Sequence, residues 1–288
     1  METMMAGGVG GSCLIIAGHP LDTVKVRLQS ISLVGKQMPY SGTVDCIIKT
    51  VSKEGFSGLF KGISAPLAVA TPVYALCFIG NEIGKRIFTT EENYKNLELL
   101  PIAAAGATAG LFCSPVMGPQ ERIKCIMQVE RSTKYKGSSI LSCGKELYRL
   151  GGIRNLYCGY CVTTLRVTLT SALYFSSYEY FKRKLPLNDC NDTSIIRTMI
   201  AGGLAGMSNL FSLPLDVLKS KIQSAPYGFY PGGALSIAKE IIRHEGWQSL
   251  FRGLGPTLLR SFPANAACFL GYETTLQFFR WCRRKSNY

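Results

Sequence analysis

One short pattern, written three times, constrains this chain more than any other feature. Pro20-Leu-Asp22-Thr-Val-Lys25, Pro119-Gln-Glu121-Arg-Ile-Lys124 and Pro214-Leu-Asp216-Val-Leu-Lys219 each set an acid two residues and a base five residues after a proline, and Gln29, Gln128 and Gln223 follow each proline by nine. The prolines stand 99 and 95 residues apart. Such even spacing reads as three tandem units, taken here as 1–92, 93–188 and 189–288, and not as one long domain.

Two further markers keep the same beat. Tyr40-Ser-Gly42, Tyr135-Lys-Gly137 and Tyr230-Pro-Gly232 come after the proline motifs. Then follow Glu54-Gly55 through Phe60-Lys61-Gly62, Gly152 through Tyr157-Cys158-Gly159, and Glu245-Gly246 through Phe251-Arg252-Gly253. The middle copy is degraded, with Gly151 where the acid belongs and Cys158 where the base belongs.

Composition points to a membrane. At 47% hydrophobic and 17% charged, the chain has enough apolar residues for six spans, yet too many polar ones for six lipid-exposed spans, so a polar interior is expected. The formal charge of +14 is scattered through apolar segments, which fits anionic lipid headgroups better than nucleic acid. The eleven cysteines, among them Cys13, Cys77, Cys113 and Cys268, lie mostly in apolar stretches and read as reduced thiols. Cys158 and Cys161 form a lone pair, and His19 and His244 are the only histidines, which argues against a metal site. Met1 to Gly18 reads as apolar helix rather than as a leader, so targeting is expected to be internal. That stretch is also short for a first span, which leaves an alternative start open.

Each unit opens on small residues: Ala6-Gly7-Gly8-Val-Gly10-Gly11, Ala105-Gly106-Ala107-Thr-Ala109-Gly110 and Ala201-Gly202-Gly203-Leu-Ala205-Gly206. In lipid such runs let helix backbones approach closely. Pro20, Pro119 and Pro214 are expected to bend the three odd spans, and an acid and base three residues apart share one helical face. Short amphipathic segments follow, with Val44, Ile47, Ile48 and Val51, and again Leu235, Ala238 and Ile242, at helical spacing. These are expected to lie along the membrane surface, where their N-termini would offer backbone donors to lipid phosphates. The even spans run about from Gly62 to Phe88, Gly159 to Leu185 and Gly253 to Trp281. The expected fold is all-α: six transmembrane helices in three pseudo-symmetric repeats, each with a surface helix, around a water-filled cavity.

The motifs together resemble the mitochondrial carrier family over essentially the whole chain. What that resemblance implies is alternating access in the mitochondrial inner membrane, with both termini facing the intermembrane space and cardiolipin as a possible bound lipid. The matrix gate would pair Asp22 with Lys124, Glu121 with Lys219 and Asp216 with Lys25, braced beneath by Gln29, Gln128 and Gln223. Intramembrane charges are costly and usually functional, although static pairs holding the bundle shut would also account for them. A second set, Glu82 with Lys85, Glu179 with Lys182, and Glu273 after Tyr272, resembles the family's cytoplasmic network, with Leu276 where its last base belongs. Helix-end charges snorkelling to water explain Lys85 and Lys182 equally well.

Aligning the even spans on Pro72, Leu169 and Pro263 sets Val69, Arg166 and Arg260 at one depth. An arginine fork suits a carboxylate or a phosphate. His19 through Gln29, Glu121-Arg-Ile-Lys-Cys125 and Phe262 through Gly271 resemble the branch of the family that exchanges carnitine and acylcarnitine, which implies arginine on the carboxylate and an apolar wall of Val69, Pro72, Val73 and Cys77 for an acyl chain. In that branch an aspartate follows the fourth-span arginine, and here Val167 does. Tyr74 or Tyr174 could supply an aromatic face for a quaternary ammonium instead. With no spare mid-cavity carboxylate expected, a carboxylate anion or an amino acid remains an alternative cargo, and a non-transporting membrane scaffold remains an alternative class. No nucleophile-base pair or phosphate loop suggests an enzyme.

Overall fold

The computed structural model describes residues 2–30, 40–88, 99–128, 139–185, 200–226, 228 and 233–286. The first repeat comprises α1 (Glu2–Ser30), α2 (Thr43–Glu54), a 3-10 turn at Phe56–Phe60 and α3 (Ser64–Phe88). The second comprises α4 (Leu99–Gln128), α5 (Ile140–Leu156) and α6 (Tyr160–Lys184). The third is α7 (200–207), a 3-10 turn at Ser208–Ser212, α8 (Leu213–Ser224), α9 (Gly233–Glu245), a second 3-10 turn at Trp247–Phe251 and α10 (Leu254–Ser286). No strand occurs among the described residues. Each odd span runs toward one end of the bundle and each even span returns, so the start of α1 packs antiparallel against the end of α10.

Small residues make the helix crossings tight, as expected for backbones meeting in lipid. A Cβ on Gly10 would lie 2.7 Å from the Cys268 carbonyl oxygen, one on Gly80 2.8 Å from the Ala109 Cα, and one on Gly106 2.7 Å from the Ser171 carbonyl oxygen. Only part of the first and third runs serves this purpose, since Gly7, Gly8 and Gly203 have nothing within 4 Å. By apolar length alone, Phe56–Phe88 and Leu99–Gln128 qualify as spans among the described residues.

The prolines act unequally. α1 and α4 continue as helix through Pro20 and Pro119, whereas the third odd span breaks: α7 gives way to a 3-10 turn, and α8 restarts with Pro214 in its first turn. A proline missing its N–H is tolerated there because that donor has no intrahelical partner in any case.

Three small apolar cores lie at one end, each between the last turns of an odd span and its surface helix. Val24 and Leu28 pack with Tyr40, Cys46 and Leu59; Ile126 packs with Cys143 and Leu147; Val217 and Ile222 pack with Ile237, Ile241 and Val162. The surface helices therefore bury one stripe and expose a second apolar one: Val44, Ile48 and Val51 on α2, Leu141 and Tyr148 on α5, Leu235 and Ile242 on α9. The residues expected to mark one amphipathic face thus split, with Ile47 turned to the core.

The motif glycines are set by backbone geometry and space together. Gly62, Gly159 and Gly253 have φ of 77°, 78° and 88°, a region that penalises any side chain. Each also abuts the end of the next repeat's odd span: a Cβ would meet Met127 at 3.3 Å, Ile222 at 3.0 Å and Gln29 at 3.0 Å respectively. Repeat one thereby touches two, two touches three, and three closes on one.

Candidate functional site

At the end where α1, α4 and α8 converge, the acid and base of each motif reach across repeat boundaries. Lys124 Nζ lies 2.7 Å from Asp22 Oδ2, Lys219 Nζ 2.6 Å from Glu121 Oε1, and Lys25 Nζ 2.5 Å from Asp216 Oδ2. A base three residues after an acid stands about 300° further round its own helix and almost a turn along. It therefore points to the neighbouring helix's acid rather than to its own, and threefold symmetry closes the ring.

Two more cations join from the even spans. Arg166 on α6 donates to Glu121 Oε1 at 2.7 Å and lies 3.5 Å from Asp216 Oδ1, and Arg260 on α10 donates to Asp22 Oδ1. The two arginines that the sequence set at one depth are accordingly tied to the acids of the floor. They stand in the second turns of their helices and reach down to the same three acids. Five cations share three carboxylates, leaving a formal excess of two positive charges.

Above this floor opens a cavity of about 510 Å³. Arg166, Arg260, Lys25 and Asp216 form its base, and Tyr74, Cys77 and Phe78 on α3 with Tyr174 and Phe175 on α6 form an aromatic wall. Asp216 is the carboxylate at the cavity base, and it is held by Lys25 and Arg166 rather than spare. Tyr74 seats over Gly11, whose Cβ would lie 2.5 Å from the ring. Tyr174 is stacked on Tyr178 at 6.4 Å and edge-on to Phe175 at 5.9 Å. Thr170 also lines the cavity, and its buried hydroxyl has no hydrogen-bond partner among the described residues.

Four expected lining residues stand elsewhere. Val69, Pro72 and Val73 do not line this cavity, and Val167 is 6% exposed with its carbonyl oxygen against Gly110 of α4. Aligning the spans fixed their depth but not their direction. At 100° per residue, Pro72 lies about 160° from Tyr74 around α3, on the exposed side, and Val167 turns from Arg166 into the α4 contact.

The glutamines are buried and bridge helices, but their bonds go to neutral groups and not to the ion pairs above them. Gln29 donates to the Arg252 carbonyl at 2.9 Å and accepts from Ser220 at 2.8 Å; Gln128 donates to Thr23 at 3.0 Å; Gln223 donates to Thr163 at 2.9 Å.

One base below the floor, Arg27, escaped sequence reasoning. Arg27, almost fully buried, donates to Glu54 at 2.8 Å, Thr50 at 3.0 Å and the Gln128 carbonyl at 3.2 Å. Lys61 meets the same Glu54 carboxylate at 2.5 Å. On the surface helix, burial alone would raise the Glu54 pKa, but the hydrogen bonds from Arg27 and Lys61 outweigh it and hold the carboxyl below the usual glutamate range. The available signal was the recurrence of Arg27 and Lys221 seven residues after Pro20 and Pro214, with Ile126 in the middle unit.

The other end of the bundle looks different. Glu82 lies 3.8 Å from Arg86 and Glu179 2.9 Å from Arg183, each pair one turn apart on a single helix. Lys182 sits 5.7 Å above the Tyr178 ring. Among the described residues, the ion pairs seen at Glu82 and Glu179 run along their own helices to Arg86 and Arg183, where the sequence suggested Lys85 and Lys182 as the bases of a network. The side chain of Glu273, beside Tyr272, lies outside the described residues.

Comparison with known proteins agrees with this geometry. The family described as mitochondrial carrier protein matches three times, over residues 1–92, 95–189 and 191–281. The mitochondrial carnitine/acylcarnitine carrier protein of Mus musculus is 43% identical over 288 residues, covering 97% of this chain and 95% of the relative. Protein dif-1 of Caenorhabditis elegans is 46% identical over 96% of this chain and 91% of its own length, and the mitochondrial magnesium exporter 1 of Drosophila melanogaster is 41% identical over 96% and 93%. With three tandem matches along its length, relatives of nearly its full span, and a threefold helical bundle closed at one end, the chain belongs to the mitochondrial carrier family and is a multi-pass solute carrier of the mitochondrial inner membrane.

Proposed function

We propose that this carrier exchanges carnitine-type zwitterions, free and acylated, by alternating access. The observation that carries the reading is the double duty of Arg166 and Arg260, which line the cavity while bonded to the acids of the floor. A substrate carboxylate engaging either guanidinium competes with Glu121 or Asp22 and loosens the pairs that tie α1, α4 and α8 together. Bound cargo then favours the opened state over the closed one, which is what a ligand-driven transition requires. On this reading the floor is the matrix gate, shut here, and the rim is the cytoplasmic gate, open here.

The aromatic wall supplies the other half of the specificity. A quaternary ammonium has no N–H to donate, so it needs no free carboxylate and is satisfied by ring faces such as Tyr74 and Tyr174. A primary ammonium would leave donors unmatched there. The unpartnered Thr170 hydroxyl can meet a substrate hydroxyl or carbonyl. The excess of two positive charges disfavours a divalent cation of the kind named for the fly relative. That same excess favours a second reading, a carboxylate anion. We read the chain as a carrier without enzymatic chemistry and the exposed apolar stripes of α2, α5 and α9 as seats on the membrane surface. Cardiolipin would meet the N-terminus of α2 beyond Gly42, while the corresponding Tyr135-Lys-Gly137 and Tyr230-Pro-Gly232 lie outside the described residues.

Counter-exchange by the purified protein, in liposomes loaded with carnitine, a dicarboxylate or a basic amino acid, tests the reading. Carnitine exchange unaffected by an imposed potential is expected, since each net charge moved would gain or lose about 2.3 kcal/mol per 100 mV. Exchange confined to dicarboxylates overturns the first reading, and exchange of none of them favours a non-transporting scaffold.

A further inference from the structure

The middle repeat was read as degraded because Gly151 replaces the motif acid. The structure shows a rewired joint in its place. In the first repeat Glu54 binds Arg27, and Gly58 stands where any side chain would collide, its Cβ lying 2.7 Å from the Glu54 Cβ and 3.0 Å from its carboxylate. In the second repeat the counterparts of Glu54, Gly58 and Arg27 are Gly151, Asn155 and Ile126. With the acid gone, the space admits Asn155, and the base reappears four residues earlier on the same helix face as Arg122. Asn155 accepts from Arg122 Nη2 at 3.1 Å and donates to the Leu147 carbonyl at 2.7 Å.

The exchange redirects the guanidinium. Arg27 spends most of its bonds within its own repeat and one on the Gln128 carbonyl. Arg122 is 1% exposed, and its Nη1 reaches across the boundary to the carbonyls of Ile222 at 3.3 Å, Gln223, and Ala225 at 2.9 Å. These belong to the end of α8, where the last carbonyls of a helix lack intrahelical partners and carry partial negative charge. We propose that Arg122 is a latch, a positioning residue that caps α8 from the neighbouring repeat and sets how tightly the boundary between repeats two and three closes beneath the ion-pair floor. To open at this end, α4 and α8 must part and these bonds must break. The latch rests on the floor being a gate and is independent of the cargo.

The test uses Cys125, which is 3% exposed beneath the floor beside Gln223, in the full-length protein in lipid nanodiscs open on both faces to a membrane-impermeant maleimide. Labelling is resolved by site, with exposed Cys161 as reference. Arg122→Gln is expected to speed Cys125 labelling about tenfold, and Asn155→Ala, which removes one bond, about two- to threefold. Installing the first repeat's wiring, Gly151→Glu with Asn155→Gly, Ile126→Arg and Arg122→Thr, is expected to return the rate toward that of the starting protein, an outcome that mere loss of packing would not give. Asp216→Asn serves as the comparison. If it speeds labelling while Arg122→Gln does not, the latch is overturned and the gate stands; if neither does, the gate reading fails and the latch with it. Should Arg122→Gln not fold, Asn155→Ala and the rewired protein carry the test, and wild-type labelling in Asn155→Ala overturns the latch.

Discussion

The two ends of the bundle use the same chemistry to opposite effect. At the floor, Lys219 and Glu121 have side chains 11% and 9% exposed and lie on different helices; at the rim, Arg86 and Glu82 are 77% and 48% exposed and lie on one. A screened pair along one helix holds nothing together, whereas a buried pair between helices decides whether they separate. The difference teaches that charge content alone does not identify a closed gate. Which helix supplies the partner does.

The contrast breaks most sharply at Asp22, which serves both Lys124 and Arg260. Asp22→Asn leaves two partly buried cations, Lys124 at 17% and Arg260 at 36% side-chain exposure, short of their carboxylate, a loss below the roughly 3–5 kcal/mol of a fully buried pair because solvent screens both. Carnitine counter-exchange in liposomes is expected to fall at least about a hundredfold, about 2.7 kcal/mol on the rate scale, with a clear drop in the melting temperature of the detergent-solubilised protein. Exchange at the starting rate would show that the floor pairs are static and that access to the cavity is governed elsewhere.

How much of this was legible depended on whether the information was periodic. Three acids and three bases in register announced a ring but not its sense, and the pairing of Asp22 with Lys124, Glu121 with Lys219 and Asp216 with Lys25 came from the family resemblance. Depth within the even spans was legible too, which is why Arg166, Arg260, Tyr74 and Tyr174 were singled out. Direction around a helix was not. Pro72 and Val167 share the depth of cavity residues but turn outward or into a neighbour, and alignment between repeats carries no azimuth when one copy is anchored by a proline and another by Leu169. The glutamines kept the beat yet bond to Ser220, Thr23 and Thr163, positions that no motif marks. The joint at Arg122 stayed hidden because it replaces four residues in two separate segments at once, so each change looked like decay when taken singly.

Glu54 sharpens the comparison from the floor's underside. Its partners hold its folded pKa below that of the unfolded chain, so it binds a proton less readily when folded. Its stabilisation is therefore complete above the unfolded value, about 4.3, and is lost as pH falls through the lower folded value. Melting temperature is expected to stay level from neutral pH to about 5 and to decline below about 4, with Glu54→Gln showing a lower plateau and a shallower acid limb. An acid limb identical in the variant would mean that Arg27 and Lys61 do not depend on this carboxylate.

The smallest effect is expected at the rim. Glu179 and Arg183 are one helical turn apart, 31% and 43% exposed, and a pair of that kind contributes about 0.3–0.5 kcal/mol. Glu179→Gln should leave melting temperature almost unchanged, because among the described residues Glu179 pairs along its own helix and not between helices. Exchange can still slow, for a reason the same geometry supplies: once the floor opens and the rim converges, the acid becomes available to a base on another span, and its removal then costs the alternate state alone. A normal melting curve with reduced turnover would therefore locate the role of Glu179 in the state with the rim shut. A stability loss matching that of Asp22→Asn would instead mean that the rim already binds helix to helix, and the asymmetry between the two ends would disappear.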